Sequence, residues 1–136
     1  MHTKEDIDQL ASEFEQCQKI LVALGDENRQ HMILEMMKMG NCSGVRVNEI
    51  TEKTHLSRPA VSHHLQILKD AGILKMRREA TKNYYYFDPD MKSFELLIGI
   101  LQKAISITRE LPDRSGKDEH GYVSHYRYHF DPVAGK

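Results

Sequence analysis

Two cysteines in 136 residues cannot supply a disulfide framework, so reduced thiols are the default reading. No apolar run approaches the roughly 18–20 residues of a membrane span, so no membrane partner is expected. The opening MHTKEDIDQL lacks an apolar signal core, which makes the cytoplasm the expected compartment. No nucleophile–base pair, glycine-rich phosphate loop or carboxylate pair has a recognisable setting, so an enzyme is the least favoured class and no cofactor is expected. Internal repeats and a second domain are also missing. What remains is an ordinary soluble composition, 40% hydrophobic and 29% charged, enough for one modest core.

The net charge of −1 hides an asymmetry. Between Val45 and Phe87 stand eight basic residues, Arg46, Lys53, Arg58, Lys69, Lys75, Arg77, Arg78 and Lys82. They face four acids, Glu49, Glu52, Asp70 and Glu79, a surplus of four, so the rest of the chain carries −5. One basic face on an acidic body suits a protein that meets a polyanion.

Apolar residues at Ile7, Leu10, Phe14, Cys17, Leu21 and Leu24 alternate spacings of three and four, a heptad seam on one helix over about 5–24. Asp26 can cap a second helix that runs to about Met39 and stops at Gly40. Asn48 can cap a short third helix to about Thr54. Ser57 caps a fourth, with Pro59 in its first turn, and Gly72 closes it. The runs Ile73–Arg77 and Asn83–Phe87 read as a hairpin, and a last helix spans about Met91–Arg109. The expected fold is mainly α with a small β-hairpin, in the order α-α-α-α-β-β-α. One domain covers 5–110; the tail 111–136, polar and rich in His and Tyr, reads as poorly ordered.

The stretch 56–87 is the layout of a helix-turn-helix recognition helix followed by a wing. On the fourth helix Val61, Leu65 and Leu68 share one side, while Pro59, His63, Gln66 and Asp70 lie opposite. The first two turns of such a helix reach base edges in the major groove. The contact candidates are therefore Ser57, Arg58, Pro59, Ser62, His63 and Gln66, with Ser57 also a cap and phosphate ligand. His64 falls beside the apolar stripe and reads as a packed, hydrogen-bonded histidine. Around the hairpin tip, Lys75, Arg77, Arg78, Lys82 and Asn83 suit backbone phosphates. Tyr84, Tyr85 and Tyr86 alternate in direction, and core packing is favoured over base stacking for most of them.

The run S-x-x-A-V-S-H-H-L-x-x-L-K-x-A-G-I-L over Ser57–Leu74, followed by R-R-E-x-x-x-x-Y-Y over Arg77–Tyr85, resembles the ArsR/SmtB-type winged helix-turn-helix repressors. The segment L-G-D-E-N-R-x-x-I-L over Leu24–Leu34 is similar to that family's L-x-D-P-x-R-x-x-I-L, with its register loosened by His31 and Met32. The resemblance covers roughly residues 10–108. It implies a homodimer through the first and last helices, binding to an inverted-repeat operator in double-stranded DNA, and repression relieved by an inducer. The seam itself also points to association, through Ile7, Leu10, Phe14, Cys17, Leu21, Phe94, Leu97, Leu101 and Ile105.

The inducer is not written in the sequence. The third helix lacks the family's Cys-x-Cys-type metal motif, and the last helix contains no histidine, so no metal site is expected. Cys17 reads as a small core residue, although with Cys42 it leaves a redox or persulfide switch open. His120, His125 and His129 in the tail fall short of a ligand set. A small organic inducer leaves no fingerprint. The alternatives to a dimeric repressor are a MarR-like regulator of aromatic ligands and a winged-helix protein-interaction module without DNA.

Overall fold

The computed structural model describes residues 3–40 and 43–112. Helix α1 (Lys4–Gln16) starts at Thr3, whose hydroxyl accepts from the Asp6 N–H at 3.3 Å while the Asp6 carboxylate accepts from the Thr3 N–H at 2.8 Å. This reciprocal cap satisfies two donors that a helix start leaves open. The single first helix expected over 5–24 is two helices. The helix breaks at Cys17, at φ −98° and ψ 5°, and α2 (Gln18–Leu24) follows it. The Cys17 side chain sits at 0% exposure, so it does not lie on the free seam beside Ile7 and Phe14. Burial, with a smaller contribution from the Glu13 carboxylate, pushes its thiol pKa up, away from the reactive thiolate.

Helix α3 (Glu27–Met39) is capped by Asp26, whose Oδ1 accepts from the Arg29 N–H at 3.1 Å, and it ends at Gly40 with φ +63°. Helix α4 (Val47–Thr54) begins earlier than Asn48 would place it. Arg46 is the N-cap, and the Glu49 carboxylate bonds back to its N–H at 2.7 Å. The capping signal was the glutamate three residues on, not the asparagine. Ser57 caps α5 (Arg58–Asp70), accepting from the Ala60 N–H at 3.3 Å, with Pro59 in the first turn.

Gly72, at φ +76°, turns the chain into the hairpin of β1 (Leu74–Glu79) and β2 (Lys82–Phe87). The pairing runs from Leu74 opposite Phe87 to Glu79 opposite Lys82, leaving Ala80 and Thr81 as the tip. Val45 adds a one-residue bridge to the other edge of β2, exchanging two 2.8 Å hydrogen bonds with Tyr85. Asp90 caps α6 (Met91–Glu110) through the Lys92 N–H at 3.2 Å. Tail residues from 113 on, with His120, His125 and His129, lie outside the described residues, as does Cys42.

Ile20, Ala23, Met32, Ile33, Met36, Val45, Ile50, Val61, Leu65, Leu68, Ile73 and Leu74 form the core. It lies under α5, between α2, α3, α4 and the base of the hairpin. Each large aliphatic buried there contributes about 1.5–3 kcal/mol relative to exposure. Helix α1 buries none of its residues in this core and packs along α6, to which the Glu13–Lys103 ion pair ties it.

Candidate nucleic-acid interface

Val61, Leu65 and Leu68 are fully buried on one side of α5, and this fixes the rotation of the helix. Arg58, Pro59, Ser62, His63 and Gln66 are consequently all exposed on its other side, with Ser57 exposed at its start. A helix of 13 residues held along one stripe, with a polar face free over its first two turns, has the shape that a major groove admits. The helix N-terminus adds partial positive charge where phosphates would lie.

Three of these side chains have partners within the chain. Arg58 donates from Nη1 to Asn48 Oδ1, which joins the first turn of α5 to the first turn of α4. Gln66 Nε2 donates to Asp70 Oδ1 at 2.8 Å, and Ser57 is engaged in capping. Ser62 and His63 stand exposed between them, and the His63 ring centroid lies 5.9 Å from that of His64.

His64 has the hydrogen bond expected of a packed histidine, and its partner is informative. Arg29, the buried charged residue among those described, places Nη1 3.1 Å from His64 Nδ1. The same guanidinium donates from Nε to the Ala23 carbonyl at 2.8 Å and from Nη2 to the Val22 carbonyl at 2.9 Å. Desolvation holds the His64 pKa below the ordinary imidazole value. Asp26 opposes that shift, and Arg29 and His63 reinforce it. At Asp26 the Arg29 N–H holds the carboxyl below its usual range, with burial opposing and the Arg29 and His64 charges adding to the effect. Sequence reasoning placed Arg29 in a motif but gave it no role; a buried arginine that clamps carbonyls of another helix leaves no periodicity.

The wing is less uniform than its basic sequence suggests. Lys75 sits at the hairpin base and pairs with Asp88 at 2.6 Å, which raises its pKa. Arg77 bonds to Glu79 at 2.9 Å and to the Ser43 carbonyl, and its guanidinium lies 5.0 Å from the Tyr84 ring centroid. Arg46 approaches the same ring at 5.7 Å, so Tyr84 holds two cations at one edge of the sheet. Arg78 and Lys82 are exposed near the tip, Arg78 donating to the Ala80 carbonyl at 3.2 Å. Asn83 is half-buried, and its Oδ1 is buried without a hydrogen bond, so a phosphate there could be met only by its amide N–H groups. Of the three tyrosines, Tyr85 packs on the core; Tyr84 belongs to the arginine pair instead, contrary to the expectation that packing would claim most of them.

On α1 and α6, Ile7, Phe14 and Leu101 are exposed, at 52%, 36% and 54%. Leu10, Leu21 and Ile105 are half-buried, while Phe94 and Leu97 pack partly against the core of their own chain. Among the described residues no three His, Cys, Asp or Glu side chains come together as a metal site, and no helix is long and apolar enough to cross a membrane.

Comparison with known proteins agrees with this geometry. The family model described as bacterial regulatory protein, arsR family, matches residues 26–75, which run from the α3 cap to the start of β1. An HTH-type transcriptional regulator of Methanocaldococcus jannaschii is 39% identical over 77 residues, covering 57% of this chain and 83% of that protein. The transcriptional repressor SdpR of Bacillus subtilis is 33% identical over 66 residues, covering 48% of this chain and 69% of its own length. The crystal structure of the ArsR-family regulator RHA00566 superimposes with a TM-score of 0.58 at 16% identity, covering 72% of this chain and 95% of that one, a likeness of fold. The chain belongs to the arsR family of bacterial regulatory proteins and is a winged helix-turn-helix transcriptional regulator.

Proposed function

We propose that the protein is a dimeric repressor that reads an inverted-repeat operator with α5 and releases it in response to an inducer. The observation that carries the reading is the split of α5 into a fully buried stripe and an exposed polar face, with the exposed cations of the wing beside it. Ser62, His63 and Gln66 read base edges, with Pro59 in apolar contact; Ser57 and Arg58 bind at the start of the helix. Arg78 and Lys82 meet phosphates from the wing, Arg77 and Asn83 lie closer to its body, and Lys75 is largely neutralised by Asp88.

The exposed seam of Ile7, Phe14 and Leu101 is the surface for a second copy, with Leu10, Leu21, Phe94, Leu97 and Ile105 around it. Two-fold pairing would present two α5 helices to successive turns of one DNA face. The relative from Bacillus subtilis is named a repressor, which favours repression over activation.

The test is a binding titration with a duplex from the gene's own promoter against a scrambled duplex, repeated across salt concentrations. The expected result is a sequence preference and a steep loss of affinity with salt. Equal, salt-insensitive binding to both duplexes excludes the reading and returns the fold to a protein-interaction role.

A further inference from the structure

A guanidinium donates hydrogen bonds and cannot accept them. The 3.1 Å approach of Arg29 Nη1 to His64 Nδ1 therefore fixes the imidazole as neutral, with its lone pair on Nδ1 and its proton on Nε2. Two other N–H groups of the same guanidinium donate to the Val22 and Ala23 carbonyls near the C-terminal end of α2. One side chain thus joins three helices, α2, α3 and, through His64, α5. A proton added at Nδ1 would set two donors against each other and open the joint on the α5 side.

We propose that His64 is a proton-sensitive positioning residue: in its neutral form it ties α5 to the α2–α3 corner through Arg29, and its protonation releases that tie and lowers operator affinity. This rests on the reading of α5 as the helix that enters the groove.

The groups that bear on the His64 charge come from three helices. From α3, Asp26 favours the charged ring, and Arg29 disfavours it. On α5 itself, His63 also disfavours it, at a ring separation of 5.9 Å. From α2 come the two carbonyls that Arg29 already occupies. Desolvation is the largest influence, and the balance puts proton uptake below the ordinary imidazole range. His63 itself is exposed on the proposed groove face, a second imidazole beside the one that Arg29 holds.

The experiment therefore removes the second imidazole. Full-length protein carrying His63→Gln is titrated with the promoter duplex from about pH 5 to pH 8 at constant ionic strength. Affinity should fall on the order of fivefold or more toward the acid end. Adding His64→Asn, whose Oδ1 stands near the Nδ1 position and accepts no proton in this range, should flatten the profile and keep the neutral-pH affinity. His64→Leu, which leaves Arg29 without its acceptor, should bind weakly at every pH. An undiminished acid loss with asparagine, or equal binding by the asparagine and leucine variants, overturns the proposal. Nitrogen-15 NMR of the free chain gives a reading without DNA. A single Nε2-protonated tautomer at neutral pH is expected, and a His64 ring sampling both tautomers overturns the tie itself. A locked tautomer in a chain that binds no duplex at any pH would instead overturn the DNA reading beneath it.

Discussion

Gln66 donates from Nε2 to Asp70 Oδ1 at 2.8 Å, so its amide is held along α5 by an acid one turn further on. A bidentate contact to adenine needs both the amide nitrogen and its oxygen presented to the groove. On the proposed reading Asp70 competes with a base for this amide and restrains its orientation. Asp70→Ala should raise operator affinity by about two- to tenfold, the worth of one ordinary hydrogen bond of about 0.5–1.5 kcal/mol. Removing an acid also favours every duplex, so the decisive quantity is the ratio of operator to scrambled DNA. That ratio should rise with Gln66 present and stay unchanged in a Gln66→Ala background.

The two ends of the wing should behave differently. Arg78 is exposed near the tip, whereas Lys75 is paired with Asp88 at the base. Arg78→Ala should weaken binding to all duplexes alike and reduce the slope of log affinity against log salt by about one. Lys75→Ala should change that slope by much less, because its charge is already balanced locally. Equal slopes for the two variants would mean that Asp88 lets go of Lys75 when DNA arrives.

The long-range order of the chain was legible because it rests on strong local signals. Ser57, Pro59 and Gly72 bound α5, Asp26 and Gly40 bound α3, and the period of Val61, Leu65 and Leu68 set the buried side. The break at Cys17 was not legible, because the heptad spacing runs straight through it; beyond it Ile20 and Ala23 join the core, whereas α1 buries none of its residues. The wing's cations were legible, but their partners were not. Lys75 pairs with Asp88 and Arg77 stacks on Tyr84 across the hairpin, contacts set by strand register, while Arg77 also meets Glu79 on its own strand.

Gly44 shows how tightly the wing is seated. Its φ is +107°, and a Cβ there would lie 3.0 Å from the Tyr84 Cβ and 3.2 Å from the Tyr85 carbonyl oxygen. Gly44→Ala should cost about 1–3 kcal/mol from backbone strain alone, with the backbone clash adding to it. Ala80 at the hairpin tip is the converse case, a non-glycine residue at φ +54° and exposed. Ala80→Gly should be neutral or stabilising by up to about 1 kcal/mol, since relief of left-handed strain offsets the added chain entropy. Urea denaturation of both variants checks the pair, and opposite signs are expected.

Acid should act on the fold through Asp26 as well as through His64. The Asp26 carboxyl is held below its ordinary value, so its contribution is fully present above the usual carboxylate range and is lost as pH falls through the lowered value. Asp26→Asn keeps an N-cap oxygen for the Arg29 N–H but has no proton to gain there. Its stability should depend less on pH below about 4 than that of the parent. The His64 contribution lies higher. An imidazole with a depressed pKa gives stability that is full above its unfolded value and declines as pH drops toward the folded one. Urea midpoints of parent, Asp26→Asn and His64→Asn against pH should separate the two limbs.

Leu101 is 54% exposed on α6 and Phe14 36% exposed on α1, two apolar side chains that one chain alone leaves in water. If they form the seam between two copies, a charge at either position is nearly free in the single chain and expensive in the pair. A buried, unpaired carboxylate costs several kcal/mol, enough to shift a dimer at micromolar concentration to monomer. Leu101→Glu and Phe14→Glu should each convert a particle of about 32 kDa, twice the 15.8 kDa chain, into one of chain mass, with helical content unchanged. The same variants should bind a half-site duplex nearly as well as the parent and lose the advantage of the full inverted repeat, because linking two half-sites is what a dimer adds. Sedimentation at matched concentration reads the first effect and paired half- and full-site titrations the second. A dimer that survives both substitutions would place the interface elsewhere.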